Sequence, residues 1–326
     1  MENVAKQLEF KNLIDVVTYF SHAETCVSYL TNLRWPDGAV RCVHCDHDKV
    51  YRLNGTRKVF KCASCRKQFS AIKGSIFENS PISLQKWFIA IYLITSHKKG
   101  ISSVQLGKDL GVTQKTAWFL LHRIRYALYA DTFNADKLDN VVEVDETFIG
   151  GKEGNKHPAK RVKNDGRGHP TTKVAVVGAV ERKGEVRALV VPDTKKETLQ
   201  PFIMNNIMVN ATIVTDEWYA YQDLRKLFTH ETVKHIDKEY VNGYIHTNTI
   251  ENIWSTLKRG IFGIYHTVSR EHLQKYIDEY CYRLNTRDIT EAERFDKMVS
   301  LCKARIDYQT LIENGTRKTK SKQKTG

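Results

Sequence analysis

Residues 141–151 read VVEVDETFIGG. Val141, Val142, Val144, Phe148 and Ile149 give this stretch the composition of a buried strand. Asp145 and Glu146 interrupt it, and a carboxylate buried on a strand without a partner costs free energy. A second run of the same kind, ATIVTDE at 211–217, carries an acid, Asp216, at its end, followed by Glu217. Thirty-five positions later Glu251 lies within the helical stretch TIENIWSTLKRGIFG. Two strand-borne aspartates and a helix-borne glutamate are the donor set of a two-metal phosphoryl-transfer site. Hard divalent cations take oxygen ligands, and ions roughly 3.5–4 Å apart need carboxylates that converge from separate elements. A lone strand-end aspartate is more often a cap or turn residue; three acids in strand, strand, helix order are much less often accidental. Adjacent strand residues face opposite ways, so one acid of each Asp-Glu pair faces the site. Glu143 shares the face of Asp145 and is a weaker alternative.

The helix around Glu251 carries an apolar stripe of Ile250, Ile253, Trp254, Leu257 and Ile261. Glu251, Ser255 and Lys258 fall on an adjacent face, two turns apart end to end. That suits one metal ligand and one cation for a DNA backbone, although Glu–Lys spacing of this kind also occurs on any solvated helix. Lys258 and Arg259 are the DNA-contact candidates here; His246, Asn248 and Asn252 lie close enough to touch DNA or metal.

The surrounding pattern supplies a sheet. Lys173 to Val180 is a buried strand, Arg182-Lys-Gly-Glu a turn, and Val186 to Val191 a third strand in an antiparallel meander. A helix is expected over Lys196 to Ile207, a fourth strand over Ala211 to Asp216, a helix over Trp218 to Leu227, and a fifth strand over Thr232 to Ile236. The order β-β-β-α-β-α-β-α predicts an α/β, RNase H-like mixed sheet with helices on its faces. Between the meander's first two strands, residues 152–173 hold seven Lys or Arg against two acids. This reads as a loop, either merely solvated or facing DNA, with Lys160 and Arg161 as contact candidates.

Upstream, Cys42-x2-Cys45 and Cys62-x2-Cys65 are separated by sixteen residues. Paired thiolates at this spacing predict one structural Zn²⁺ on a zinc ribbon, with Asn54-Gly55 as a hairpin turn. His44 or His47 replacing a thiolate is a weaker alternative. Cys26, Cys281 and Cys302 fall in helical patterns and read as core. Residues 101–128 then give a short helix ending at Gly111 and a longer one capped by Thr113, the arrangement of a helix-turn-helix. Gln114, Lys115 and Arg123 are its candidate DNA contacts. Generic helical hairpins outnumber DNA-binding ones, but the neighbouring ribbon and the basic chain favour DNA.

The 326-residue chain carries 51 Lys and Arg against 37 Asp and Glu, a net charge of +14. Such an excess points to a polyanionic partner and says nothing about fold. No apolar run reaches membrane-spanning length and the N-terminus has no signal-peptide core, so a soluble, cytoplasmic protein, nucleoid-associated when on DNA, is expected. The expected domains are an N-terminal helical segment (1–38), the ribbon (39–71), the helix-turn-helix region (80–130), the catalytic domain (138–290), and a C-terminal helix with a basic tail (291–326). Residues 131–140 read as the linker.

Several long stretches carry a family resemblance: WPDGAVRCVHC with FKCASCRKQFS, VEVDETFIGGKEGNKH, VTDEWYAY, and HTNTIENIWSTLKRGIFGIYHTVSREHLQKYIDEYCYRLNTR. In these the chain resembles the transposases of IS1595-type insertion sequences, the ISXO2-like group, over nearly its whole length. The resemblance implies an acidic triad falling on Asp145, Asp216 and Glu251, with Lys258 matching the family's basic residue seven positions after the last acid. Some relatives use Asn as the third ligand, which leaves Asn248 and Asn252 as minor alternatives. It implies two Mg²⁺ (or Mn²⁺) ions, one activating water or a 3′-hydroxyl and one stabilising the leaving oxygen. The implied partners are the element's terminal inverted repeats and target DNA, and a homo-oligomer is expected in the DNA complex. A sequence-specific regulator with a dead core and a structure-specific nuclease are the alternatives.

Overall fold

The computed structural model of the chain describes residues 10–53, 55, 58–134, 136–151, 157, 173–216, 219–233, 246–306 and 311. Its centre is a five-stranded sheet of β4 (Val141–Ile149), β5 (Val174–Glu181), β6 (Val186–Val191), β7 (Thr212–Thr215) and β8 (Thr229–Thr232), in the order β6-β5-β4-β7-β8. β4, β5 and β6 pair antiparallel, whereas β7 runs parallel to β4 and β8 parallel to β7. This is the RNase H-like layout that the order of elements predicts.

The strands alternate as a two-faced sheet must. Val142 and Val144 pack with Val177, Leu199, Phe202 and Ile203 beneath α6 (Lys196–Asn206) and the 3₁₀ helix Tyr219–Lys226. Ile149, Val176 and Val186 face the other way, against α7 (Asn248–Gly260) and α8 (Leu273–Asn285). The free edge of β6 is sealed by two side-chain amides of α8. Gln274 accepts from Val190 N at 2.7 Å and donates to the Ala188 carbonyl at 3.1 Å; Asn285 does the same for both backbone groups of Val186. Each amide supplies a donor and an acceptor, so α8 stands in for a missing strand.

Before the sheet come α1 (Leu13–Tyr19), α2 (Ala23–Arg34), a three-stranded antiparallel ribbon of β1 (Val50–Arg52), β2 (Phe60–Cys62) and β3 (Gln68–Phe69), then α3 (Leu84–Ser96), α4 (Ser103–Leu110) and α5 (Gln114–Asn134). Helix starts fall on side-chain caps: Asn12, Ser83, Ser102 and Thr113 each accept from a backbone N–H three residues on. α9 (Glu291–Leu301) returns to this N-terminal group. Phe295 packs among Phe10, Phe20, Tyr29 and Phe88, and Tyr29 and Tyr92 hydrogen-bond Asp296 and Glu291 of α9. Cys26, Cys281 and Cys302 are core residues.

Three local readings change. The fifth strand of the sheet is Thr229–Thr232 rather than a run starting at Thr232; THET is polar, and the parallel register Thr212↔Thr229 sets it, not its composition. Residues 234–236 lie outside the described residues. The helix expected over Trp218 to Leu227 is a 3₁₀ helix, Tyr219–Lys226. The linker is shorter than residues 131–140, since α5 continues to Asn134 and Leu138 is buried and bridged to Ile207.

The helical group and the sheet also share a buried seam between α5 and α8. The Arg125 guanidinium donates to Glu279 at 2.5 Å and lies 3.9 Å over the Tyr276 ring, with both charges out of water. Arg283 and Tyr265 also bind Glu279, so its charge is well compensated.

Candidate active site and zinc centre

Register brings the first two acids together. β4 and β7 pair in parallel as Val141↔Thr212 and Glu143↔Val214, and two steps further on each strand stand Asp145 and Asp216. α7 crosses this strand end and carries Glu251 in its first turn. Burial first, then the charges of Asp216 and Glu251, push the Asp145 carboxyl up to about 6, while hydrogen bonds from the backbone and from Trp254 pull it back. Asp216 and Glu251 therefore both stand within electrostatic reach of Asp145. Glu146 points to the opposite face, toward Tyr221, and burial with the neighbouring Asp145 and Asp216 raises it to about 8. Lys258 stands close enough to Asp145 to feel its charge; burial and Lys173 hold its ammonium below the usual range. Arg259 is exposed on the same helix.

Four supporting residues were not singled out as such from sequence. The Trp254 indole donates to Asp145 Oδ2 at 3.0 Å. Its six-membered ring fills the space above Gly178, which pairs with Asp145 across β4 and β5. A glycine inside the run VAVVGAV is a signal for close approach at that point. Beyond Asp216, Thr215 Oγ1 donates to the Asp216 carbonyl at 2.7 Å and meets His230 Nε2 at 2.9 Å. Glu143, weighed from sequence as an alternative ligand, is fully buried with both oxygens engaged by protein donors. Asn248 and Asn252 are exposed.

The ribbon gathers Cys42, Cys45, Cys62 and Cys65, whose sulfur atoms all lie within 4.8 Å of one another. Among the described residues they are the one group of three or more potential ligands gathered this closely, and neither His44 nor His47 belongs to it. The Cys42–Cys65 and Cys45–Cys62 sulfurs are each 3.6 Å apart. A disulfide would need about 2.05 Å, whereas four thiolates about 2.3 Å from a tetrahedral Zn²⁺ stand roughly 3.8 Å apart. The set fits zinc. Each knuckle closes through a residue just after its second cysteine, Asp46 at φ 59° and Arg66 at φ 60°.

In the helix-turn-helix, α4 ends at Gly111 in the left-handed conformation, and Thr113 caps α5. Gln114 and Lys115 are exposed at the tip of α5, with Gln114 also donating to Ser103 Oγ at 2.9 Å. Arg123 is half-buried and donates to the Ile76 carbonyl at 3.1 Å, a contact inside the fold. Lys160, Arg161 and the basic tail lie outside the described residues.

Comparison with known families matches residues 137–285 to the ISXO2-like transposase domain, and residues 22–68 to a transposase zinc-ribbon domain of the same IS1595 group. Over both segments the chain is similar to the IS1595-type, ISXO2-like transposases. The family domain takes in Asp145, Asp216 and Glu251 together with Glu143, Gly178 and Trp254, and the family ribbon takes in all four cysteines. Among relatives, an uncharacterized protein in transposable element ISH50 of Halobacterium salinarum is 29% identical over 283 residues, 83% of this chain and 93% of that protein. An uncharacterized transposase-like protein of Haemophilus influenzae is 27% identical over 108 residues, 33% of this chain and 86% of that protein. A Mos1 transposase paired-end complex with the left transposon end is 13% identical, covering 67% of this chain and 79% of that one, at a TM-score of 0.28. So loose a superposition decides nothing about the site. No helix among the described residues is long and apolar enough to cross a membrane.

Proposed function

We propose that this chain cuts and joins DNA at the ends of an insertion sequence by metal-dependent phosphoryl transfer, with Asp145, Asp216 and Glu251 as its acidic triad. The observation that carries this is the placement of the three acids at one end of the sheet, with Asp145 and Asp216 on adjacent parallel strands and Glu251 in the first turn of α7; burial, then the charges of Asp216 and Glu251, raise the Asp145 carboxyl to about 6. Asp145, Asp216 and Glu251 offer carboxylate oxygens, the donors that Mg²⁺ or Mn²⁺ takes. When bound, a pair of such ions would polarise the phosphate and activate the attacking oxygen.

The protein's own part is placement and charge. Trp254 orients Asp145 through its indole N–H, and Thr215 fixes the backbone at Asp216. Thr247 Oγ1 donates to Glu251 Oε1 at 3.0 Å, which holds that side chain toward the helix start. Lys258 offers a cation two turns further on, at a reach suited to a DNA phosphate beside the reacting one. Gln114 and Lys115 offer contacts for reading an element end, while Arg259, Lys160 and Arg161 add contacts to the backbone. The partners are then the terminal repeats and the target DNA. Two ends must be cut, so a homo-oligomer on paired ends, in the cytoplasm at the nucleoid, is the working assembly.

The test is cleavage and joining of a labelled element end with Mg²⁺ or Mn²⁺. Asp145→Asn, Asp216→Asn and Glu251→Gln should each abolish both steps and leave end binding largely intact. Full activity of any one variant removes that residue from the triad.

A further inference from the structure

Glu143 is 0% exposed, carries no apolar function, and sits two residues before Asp145 on the same face of β4. Its Oε2 accepts from the backbone N–H of Thr249 at 2.9 Å and of Ile250 at 3.1 Å. Its Oε1 accepts from Thr249 Oγ1 at 2.9 Å and from Arg182 Nε at 2.8 Å, with His246 Nδ1 at 3.3 Å. A carboxylate has about four lone-pair sites, so none is left for a cation. The Thr249 and Ile250 donors belong to the first turn of α7, whose opening N–H groups have no partner within the helix. The residue at the N-cap position, Thr247, makes no side-chain cap; its hydroxyl goes to Glu251 instead. Glu143 thus caps α7 from a strand 106 positions away in sequence.

The second grip lies one helical turn further on, where Trp254 of α7 donates to Asp145 of β4. Two residues along a strand span about 6.7 Å, and the four residues from Ile250 to Trp254 span about 6 Å of helix. The two spacings match, so the paired contacts fix α7 lengthwise on β4. Sliding the helix by one turn would break both. Arg182 holds the entry to the same helix, donating from its second arm to the His246 carbonyl at 2.9 Å.

We propose that Glu143 is a positioning residue: by capping α7 from β4 it sets where Glu251 stands relative to Asp145, and so sets the fit of the acidic site for divalent cations. This rests on the triad assigned above. A carboxylate beside the triad would otherwise pass for a further ligand, and the two roles predict different behaviour.

The test uses the full-length, zinc-loaded chain and Glu143→Gln, which keeps size but sets an amide N–H₂ against donors. Hydrogen exchange at the Thr249 and Ile250 amides should speed by about tenfold or more, the scale of a lost helix cap. Affinity for Mn²⁺, titrated directly without DNA, should fall by about the same factor, and raising Mn²⁺ should restore much of the cleavage rate. Unchanged exchange at those amides overturns the proposal, as does faster exchange with unaltered Mn²⁺ affinity. A lost ligand would instead lower Mn²⁺ binding without touching the amides. If Glu143→Gln fails to fold, Thr249→Ala removes only the hydroxyl contact, and the same two measurements apply with smaller shifts. Glu251→Gln is the control: if it binds Mn²⁺ as the parent does, the triad assignment has failed and the proposal falls with it, whatever the exchange shows.

Discussion

Gly178→Ala tests the packing that holds Asp145 in place. A Cβ at Gly178 would lie 2.4 Å from Trp254 Cη2 and 2.6 Å from Cζ2, with the Arg187 carbonyl at 3.4 Å behind it. Carbon contacts rest at roughly 3.5–4.0 Å, so the indole must retreat by about 1 Å or more. Trp254 is 4% exposed and its ring is rigid, so the retreat moves α7 itself. Overpacking of this kind costs about 1–3 kcal/mol, and the indole's hydrogen bond to Asp145 is strained or lost as well. Trp254→Phe removes the ring atoms that would clash. It should therefore cost less in the Gly178→Ala background than in the parent, with a coupling of about 1–2 kcal/mol. Urea unfolding of the four proteins measures the coupling, and end-cleavage assays on the same four report the effect on the site. Energies that add to within about 0.5 kcal/mol would refute the packing account, because they would mean that Cβ and indole never meet.

Other consequences follow from the same geometry. Metal analysis should give about one zinc per chain; removing it should unfold the ribbon, whose core of Phe60, Phe69 and two buried cysteines is too small to stand alone. Burial raises Asp145 to about 6 in the folded chain, above its ordinary value of about 4, so between those pH values the folded state holds a proton that the unfolded state has released. Stability contributed there falls as pH rises, and in Mg²⁺-free buffer Asp145→Asn should exceed the parent at pH 7 by up to ~2 kcal/mol after allowance for solvent screening. The gap should close near pH 4; a constant gap across pH would contradict it. Arg125→Met leaves Glu279 short of one buried partner and should cost ~3–5 kcal/mol in chemical unfolding. Arg125→Lys should recover little, since an ammonium cannot stack flat on Tyr276; full recovery would show that the seam needs only charge.

Much of this protein is written in short stretches of its sequence. The two Cys-x2-Cys knuckles need only their own tight turns to aim four thiolates at one point, so ribbon and zinc are legible from spacing. Asp145 and Asp216 stand out because acids are costly on apolar strands, and Glu251 because its helix shows a clean apolar stripe; the helix caps and the Gly111 turn are equally local. Other features arise only when distant segments meet. Nothing around Glu143 says that its carboxylate caps a helix starting more than a hundred residues later. Nothing in polar THET at 229–232 marks a strand until the parallel register with β7 supplies its hydrogen bonds. Arg123 looks like a DNA contact until the fold brings the Ile76 carbonyl to it, and α9 reads as a C-terminal appendage until Phe295 enters the aromatic core of the first helices. Local chemistry is set by neighbours in the chain, whose identities can be read; long-range pairing is set by which surfaces remain to be buried once those elements exist, and that is decided only by the folded whole.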